Sequence, residues 1–250
     1  MITKLNSFST LRFSGAKTPE FLQGQLTCDM RELNQHSAYS LAAVCDHRGR
    51  MLANFWVINW HHDFLFILPR SVCEIVKNHL QKYAVFSKVS IVQDDQFFIA
   101  EMGSGSESTS DSVSILLPSK KRHLIISDHT LFPEVKINID ETEWQKNNIA
   151  DRFCILHSET SLLFTPQMIH LEKLGGVNFT KGCYVGQEIV ARTEYLGKSK
   201  RHLQRFQQQS DHPLNRGDEL KNKKNESVGV IVEWVKLTEN EYDILAVVQT

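Results

Sequence analysis

The chain has 250 residues, 41% of them hydrophobic and 23% charged, with a formal net charge of -1. That size supports a sizeable core, and the charge balance gives no global field drawing the molecule to nucleic acid or an anionic membrane, so any such contact has to be local. The opening "MITKLNSFSTLRF" lacks the apolar stretch of a leader peptide, and no uncharged apolar run approaches the ~18 residues of a membrane span, so a cytoplasmic protein with no membrane partner is expected.

"LRFSG" reads as the end of a strand, and "TPEFLQGQL" as a short helix with Thr18 as N-cap, Pro19 at the first helical position and Gly24 as a stop. "YSLAAVC" and "RMLANFWVIN" read as strands joined through the turn "DHRG", and "NWHHD" leads into a further strand, "FLFILP". The period then changes. Val72, Ile75, Val76, His79, Leu80 and Tyr83 recur at helical spacing, which predicts an amphipathic helix over "RSVCEIVKNHLQKYAV". "KVSIV", "FFIAEM", "VSILLP" and "HLIIS" follow as strands, so an α+β unit with an antiparallel sheet is expected. "GSGSESTSDS" has a G-x-G but neither the third glycine nor the apolar helix of a dinucleotide site, and reads as a solvated loop. "DETEWQKNNIADRF" predicts a helix, and "HSETSLLFTPQ" an apolar-poor loop. Past residue 200 a basic linker, "GKSKRHLQR", precedes alternating Val228, Val230, Val232 and Trp234 against Ile244, Ala246 and Val248, the pattern of a small barrel or meander.

The window "NFTKGCYVGQEIVART" concentrates chemistry. Val185, Ile189, Val190 and Thr193 repeat at helical intervals, so Cys183 falls at or just before a helix start, where unpaired amides and the charge of Lys181 favour a thiolate. A free cysteine is equally at home packed in a core, and spacing leaves both readings open. Gly186 in a first helical turn implies a packing reason, a ligand approach, or a helix that begins later. Gln187 and Glu188 suit hydrogen bonds to a heterocycle, or ordinary dipole chemistry. The five cysteines are odd in number and widely spaced, without a C-x-x-C pair, and the histidines form no H-x-x-x-H; reduced thiols and no metal site are expected. Serine-hydrolase and P-loop signatures are absent.

"LGGVNFTKGCYVGQEIVAR" closely resembles the signature of the YgfZ family, folate-binding relatives of the glycine-cleavage T-protein, with its hallmark K-G-C-[YF]-x-G-Q-E. "FLQGQLTCD", "VCDHRGRM", "KYAVFSKVSI" and "FTPQ" resemble further family blocks in the same order, so the likeness runs from residue 11 to about 205. The resemblance implies an α+β, GcvT-like fold of three domains around a central channel for a tetrahydrofolate. These would be a folate-binding domain over 1–48 plus about 140–197, a ferredoxin-like middle unit over about 49–139, and a C-terminal β-barrel over about 198–250. It also implies Cys183 as a reactive thiol beside Lys181, and Trp144, Phe8, Gln167, Tyr184, Gln187, Glu188 and Arg192 as folate-binding residues. Phe8 stands where a better-known member has a second tryptophan, which keeps an aromatic surface and loses the indole N–H.

Where the T-protein carries an aspartate pair, "GRMLANF" offers Ala53 and Asn54, neither of which can act as a general acid or base. No glycine-cleavage activity is therefore expected. The resemblance implies instead a folate-dependent accessory role in iron–sulfur cluster assembly or repair, serving indirectly the radical enzymes that methylthiolate tRNA. A folate-dependent one-carbon transferase is the alternative, while direct nucleic-acid binding through "GKSKRHLQR" is not expected from a net charge of -1.

Overall fold

A computed structural model describes residues 2–35, 38–103, 111–127, 137–197, 199–222, 224 and 226–249. Of the expected loop "GSGSESTSDS", residues 104–110 lie outside the described residues.

The chain opens with strands Ile2–Lys4 (β1) and Phe8–Ser14 (β2), then helices Thr18–Gln23 (α1) and Met30–Gln35 (α2). Thr18 is the first residue of α1 rather than its cap, because its hydroxyl donates to the Gly15 carbonyl at 2.8 Å. Two hairpins follow through Tyr39–Cys45 (β3), Met51–Trp60 (β4) and Asp63–Pro69 (β5), and then come the helix Arg70–Ser87 (α3) and the strand Ser90–Gln93 (β6). In the "DHRG" turn the Asp46 carboxylate accepts from the backbone N–H groups of Arg48 (2.9 Å) and Arg50 (2.8 Å).

These strands form one antiparallel sheet in the order β3-β4-β5-β2-β6. Helix α3 turns Val72, Cys73, Val76, Leu80 and Ala84 onto it, into a core with Phe13, Phe55 and Phe66. Fully burying each large apolar side chain contributes roughly 1.5–3 kcal/mol, which is why the helical period here was readable.

The next strands leave that sheet. Phe98–Gly103 (β7), Ser112–Leu116 (β8), Arg122–Ser127 (β9) and Ile137–Asn138 (β10) join β1 in a second sheet ordered β10-β1-β7-β9-β8, antiparallel except for the short β1–β10 pair. The expected boundary between residues 48 and 49 falls in the β3–β4 turn, inside one hydrogen-bonded hairpin, so it cuts through a single sheet and does not separate two packing units.

Helices Thr142–Ala150 (α4) and Gln187–Tyr195 (α5) flank a segment with two short 3-10 turns, Ser158–Thr160 and Pro166–Ile169. The C-terminal strands Arg201–Gln209 (β11), Glu219–Lys221 (β12), Ser227–Lys236 (β13) and Glu241–Gln249 (β14) form an antiparallel sheet ordered β11-β14-β13-β12. The expected basic linker is thus in part a strand: "RHLQR" begins β11, pairs with β14 and buries Leu203. No β11–β12 pairing closes a barrel among the described residues.

Candidate functional site

Phe8 and Trp144, far apart in sequence, are brought together. Phe8 begins β2 opposite Pro69, and Trp144 sits in the first turn of α4, whose start is fixed by Asp140 Oδ1 accepting from the Thr142 backbone N–H (3.0 Å) and hydroxyl (2.6 Å). The rings meet edge to face, centroids 5.7 Å apart. The Arg122 guanidinium lies 5.6 Å from the indole ring and is itself held by Glu101 at 2.6 Å. Trp144 is 5% exposed and Phe8 2%. The expected aromatic surface is therefore a pinned wall of two largely buried rings packed edge to face.

That wall lines a cleft of about 310 Å³, within the usual range for small-molecule sites. Around it stand Ser7 beside Phe8, Glu141 beside Trp144, Arg70 and Ser71 at the start of α3, His157, Arg216 from the turn before β12, and Glu233 of β13. Glu141 accepts from the Ser7 backbone N–H at 2.8 Å and from the Ser7 hydroxyl. Glu233 takes both arms of Arg216, Nε at 3.0 Å and Nη2 at 2.9 Å. Burial pushes the Glu233 carboxyl up, and Arg216 opposes it. Burial, with Arg216 adding to it, pulls His157 down to about 3, so the ring is neutral; its Nδ1 is 3.3 Å from Ser71 Oγ and its Nε2 3.9 Å from Glu233. The cleft thus combines an apolar wall, carboxylate acceptors, hydroxyls and two arginines.

Sequence reasoning missed Glu141, His157, Arg216 and Glu233. Glu233 follows a β-bulge between Ile231 and Glu233, which breaks the alternation that would have faced it outward. His157 and Arg216 lie in irregular segments with no local motif.

The "KGCY" loop forms a second cluster. Lys181 is buried, and its ammonium donates to the carbonyls of Gln23 (2.8 Å), Leu26 (2.7 Å) and Cys28 (2.6 Å). All three N–H donors are satisfied, and burial lowers its pKa to about 8. This corrects the expected partnership with Cys183: the lysine ties the loop to the turn after α1. Cys183 itself is exposed, whereas Cys28, Cys45, Cys73 and Cys154 are buried, which removes the core-packing reading. It precedes the helix cap Gly186 by three residues and does not line the Phe8–Trp144 cleft. Tyr184 is buried, with its hydroxyl unpartnered and its pKa raised by burial.

Gly186 has a packing explanation. Its φ is +84°, and a Cβ there would overlap the Asp46 carbonyl oxygen and stand 3.1 Å from Cys45 Cβ and Gly49 Cα. The helix also starts one residue later, at Gln187. Glu188 and Arg192 form an exposed i,i+4 ion pair at 2.9 Å, and Gln167 donates from Nε2 to the Val190 carbonyl at 2.8 Å. Gln167 and Arg192 therefore gather at α5, and neither lines the Phe8–Trp144 cleft.

Asn54 is fully buried, donating to the Cys154 carbonyl at 2.9 Å and accepting from the Leu156 N–H at 2.8 Å, so it clamps β4 to the following layer. Among the described residues no group of three His, Cys, Asp or Glu side chains could hold a metal ion, and no helix is long and apolar enough to cross a membrane.

No protein-family model matches the chain. It is 33% identical over 247 residues to the tRNA-modifying protein YgfZ of Sodalis glossinidius, covering 88% of this chain and 75% of that protein. YgfZ of Colwellia psychrerythraea is 30% identical over 251 residues (90% and 77%), and YgfZ of an Escherichia coli O7:K1 strain 30% over 268 residues (95% and 82%). Among solved structures, the glycine cleavage system aminomethyltransferase T of Bartonella henselae superposes with a TM-score of 0.73, covering 99% of this chain and 78% of that one at 12% identity, a likeness of fold.

Proposed function

This chain belongs to the YgfZ family of tRNA-modifying proteins, and on that premise we propose that it binds a tetrahydrofolate and thereby supports iron–sulfur cluster assembly or repair and, through it, tRNA modification. The observation that carries the reading is the Phe8–Trp144 cleft, whose groups fit the chemistry of a folate. Glu141 and the Arg216-paired Glu233 are acceptors for pterin N–H groups, the aromatic wall offers apolar contact, and Arg70, which also pairs with Asp95 at 2.8 Å, is a cation for the carboxylates. Bound there, the folate would supply one-carbon or redox chemistry.

The chain's own part is to bind and to exclude water. The pinned indole and the pair of half-buried Arg216 with buried Glu233 keep one wall fixed, and the neutral His157 can donate one hydrogen bond and accept another at its ring nitrogens without carrying charge into the cleft. Cys183, the exposed thiol, is the group able to meet a partner protein.

Titration with tetrahydrofolate should quench the emission that a Trp144→Phe variant lacks; an unchanged Trp144 signal at saturating ligand ends the folate reading. In cells lacking the protein, Cys183→Ala should fail to restore iron–sulfur enzyme activity, and full restoration removes the thiol from the mechanism. A one-carbon transferase is the second reading, favoured by the two carboxylates and the imidazole of the cleft. Sustained formation of methylenetetrahydrofolate from an aminomethyl donor would select it.

A further inference from the structure

A second cleft, of about 500 Å³, opens between the C-terminal end of α5, the 3-10 turn at Pro166–Ile169 and the start of β11. A smaller recess of about 210 Å³ continues it, sharing Thr193, Gly197 and Ser199. Neither is lined by any residue of the Phe8–Trp144 cleft.

Three observations converge on this groove. One rim is cationic, with Arg192, Lys200 and Arg201; Arg192 also pairs with Glu188. Met168 and Leu196 supply an apolar floor, and Leu196 is 85% exposed. The third observation concerns hydrogen bonding. Nine buried side-chain atoms among the described residues lack a hydrogen-bond partner, and four of them, Thr165 Oγ1, Gln167 Oε1, Glu172 Oε2 and His202 Nδ1, belong to residues that line this groove. Thr165 and Gln167 are each more than nine-tenths buried. Buried polar groups are ordinarily paired, so such a concentration marks a place where a partner belongs.

A ligand that satisfies all three features is flat and partly apolar, has an edge carrying both donors and acceptors, and ends in an anion. A phosphate dianion suits a rim of three cations better than a single carboxylate does. We propose that this groove binds a nucleoside phosphate, either as a free nucleotide or as a unit of an RNA strand, with the phosphate on the Arg192–Lys200–Arg201 rim and the base edge toward Gln167 and His202.

The full-length protein would be titrated with adenosine 5′-monophosphate, with a fluorescein-labelled single-stranded oligoribonucleotide and with inorganic phosphate. The same titrations would use two variants at accessible positions, the double variant Lys200→Glu/Arg201→Glu and the groove-filling Thr193→Phe, with circular dichroism confirming their fold. Binding of the mononucleotide, the oligomer or both, weakened at least tenfold in both variants, supports the proposal and identifies the source. For the oligomer, the dependence of log affinity on log salt should also flatten in the charge-reversed variant.

Three results overturn the proposal: no binding of either nucleotide probe at millimolar concentration, equal affinity in parent and variants, or displacement of the nucleotide by inorganic phosphate at the same concentration, the mark of an adventitious ion only. Tetrahydrofolate is the control. It should quench Trp144 in both variants as in the parent, so failure of this site and failure of the folate reading are distinguishable; displacement of the nucleotide by tetrahydrofolate overturns the separate site.

Discussion

At the scale of single residues, burial sorts five cysteines that the sequence leaves equivalent. Burial pushes Cys28 up to about 12 and Cys73 up to about 11, and raises Cys45 and Cys154 as well, whereas Cys183 is exposed. Because the thiolate is the reactive form, the native protein should titrate one thiol rapidly with DTNB and four more only in denaturant. A Cys183→Ala variant should show none in the native state; a second fast thiol in the parent contradicts the burial pattern.

His157 makes a pH prediction. Folded, its pKa is about 3 against an ordinary 6.5, so below pH 6.5 the unfolded chain takes up a proton that the folded chain refuses. Its contribution is complete above pH 6.5 and is lost as pH falls toward 3, with a slope of about 1.4 kcal/mol per pH unit. Glu233, whose pKa is raised, pulls the other way, stabilising less as pH climbs above the ordinary carboxylate range. The clean observable is therefore the difference between the parent and His157→Gln in urea unfolding from pH 6 to pH 4. The two profiles should converge by about that slope, and parallel profiles would show that the imidazole titrates normally.

At the scale of elements, two glycines interlock a turn and a helix. Gly186 caps α5 against the β3–β4 turn, and Gly49 in that turn (φ +69°) leaves a Cβ position 3.1 Å from Ile189 Cβ. Gly186→Ala has to bear a left-handed backbone, about 1–2 kcal/mol, together with an overlap on the Asp46 carbonyl. The expected loss is about 2–4 kcal/mol, read as a lower urea midpoint with an unchanged slope; a shift under half of that would mean the turn yields. The same contrast explains what could be read beforehand. Helix α3 and strands β3 to β5 carry long, regular apolar periods that packing rewards directly. Helix α2 spans six residues, too few to show a period. Its trace was the pair Asp29 and Glu32, with Asp29 Oδ1 accepting from the Arg31 N–H at 3.0 Å. Strand β11 hid behind its charges, because only Leu203 turns fully inward.

At the scale of the molecule, the cleft draws on β2, α3, α4, the segment after it and β13, so no window of sequence contains it. The "KGCY" motif was visible because its residues are contiguous, yet Lys181 serves structure there and the cleft is assembled by topology. The same topology ties the C-terminal sheet to the rest. One core joins Ala43, Cys45 and Met51 of the β3–β4 hairpin, Ile149 of α4 and Val190 of α5 to Leu203, Val232, Leu245 and Val247. A sheet that shares its buried face this way cannot unfold alone without exposing the others' apolar surface, so unfolding should be one cooperative transition. Leu245→Ala, at a fully buried position, should cost about 2–5 kcal/mol. In variants retaining only Trp56 of β4 or only Trp234 of β13, the loss should lower both fluorescence midpoints equally. A C-terminal unit that stands by itself would move only the Trp234 midpoint, and the shared core would then contribute little to its stability.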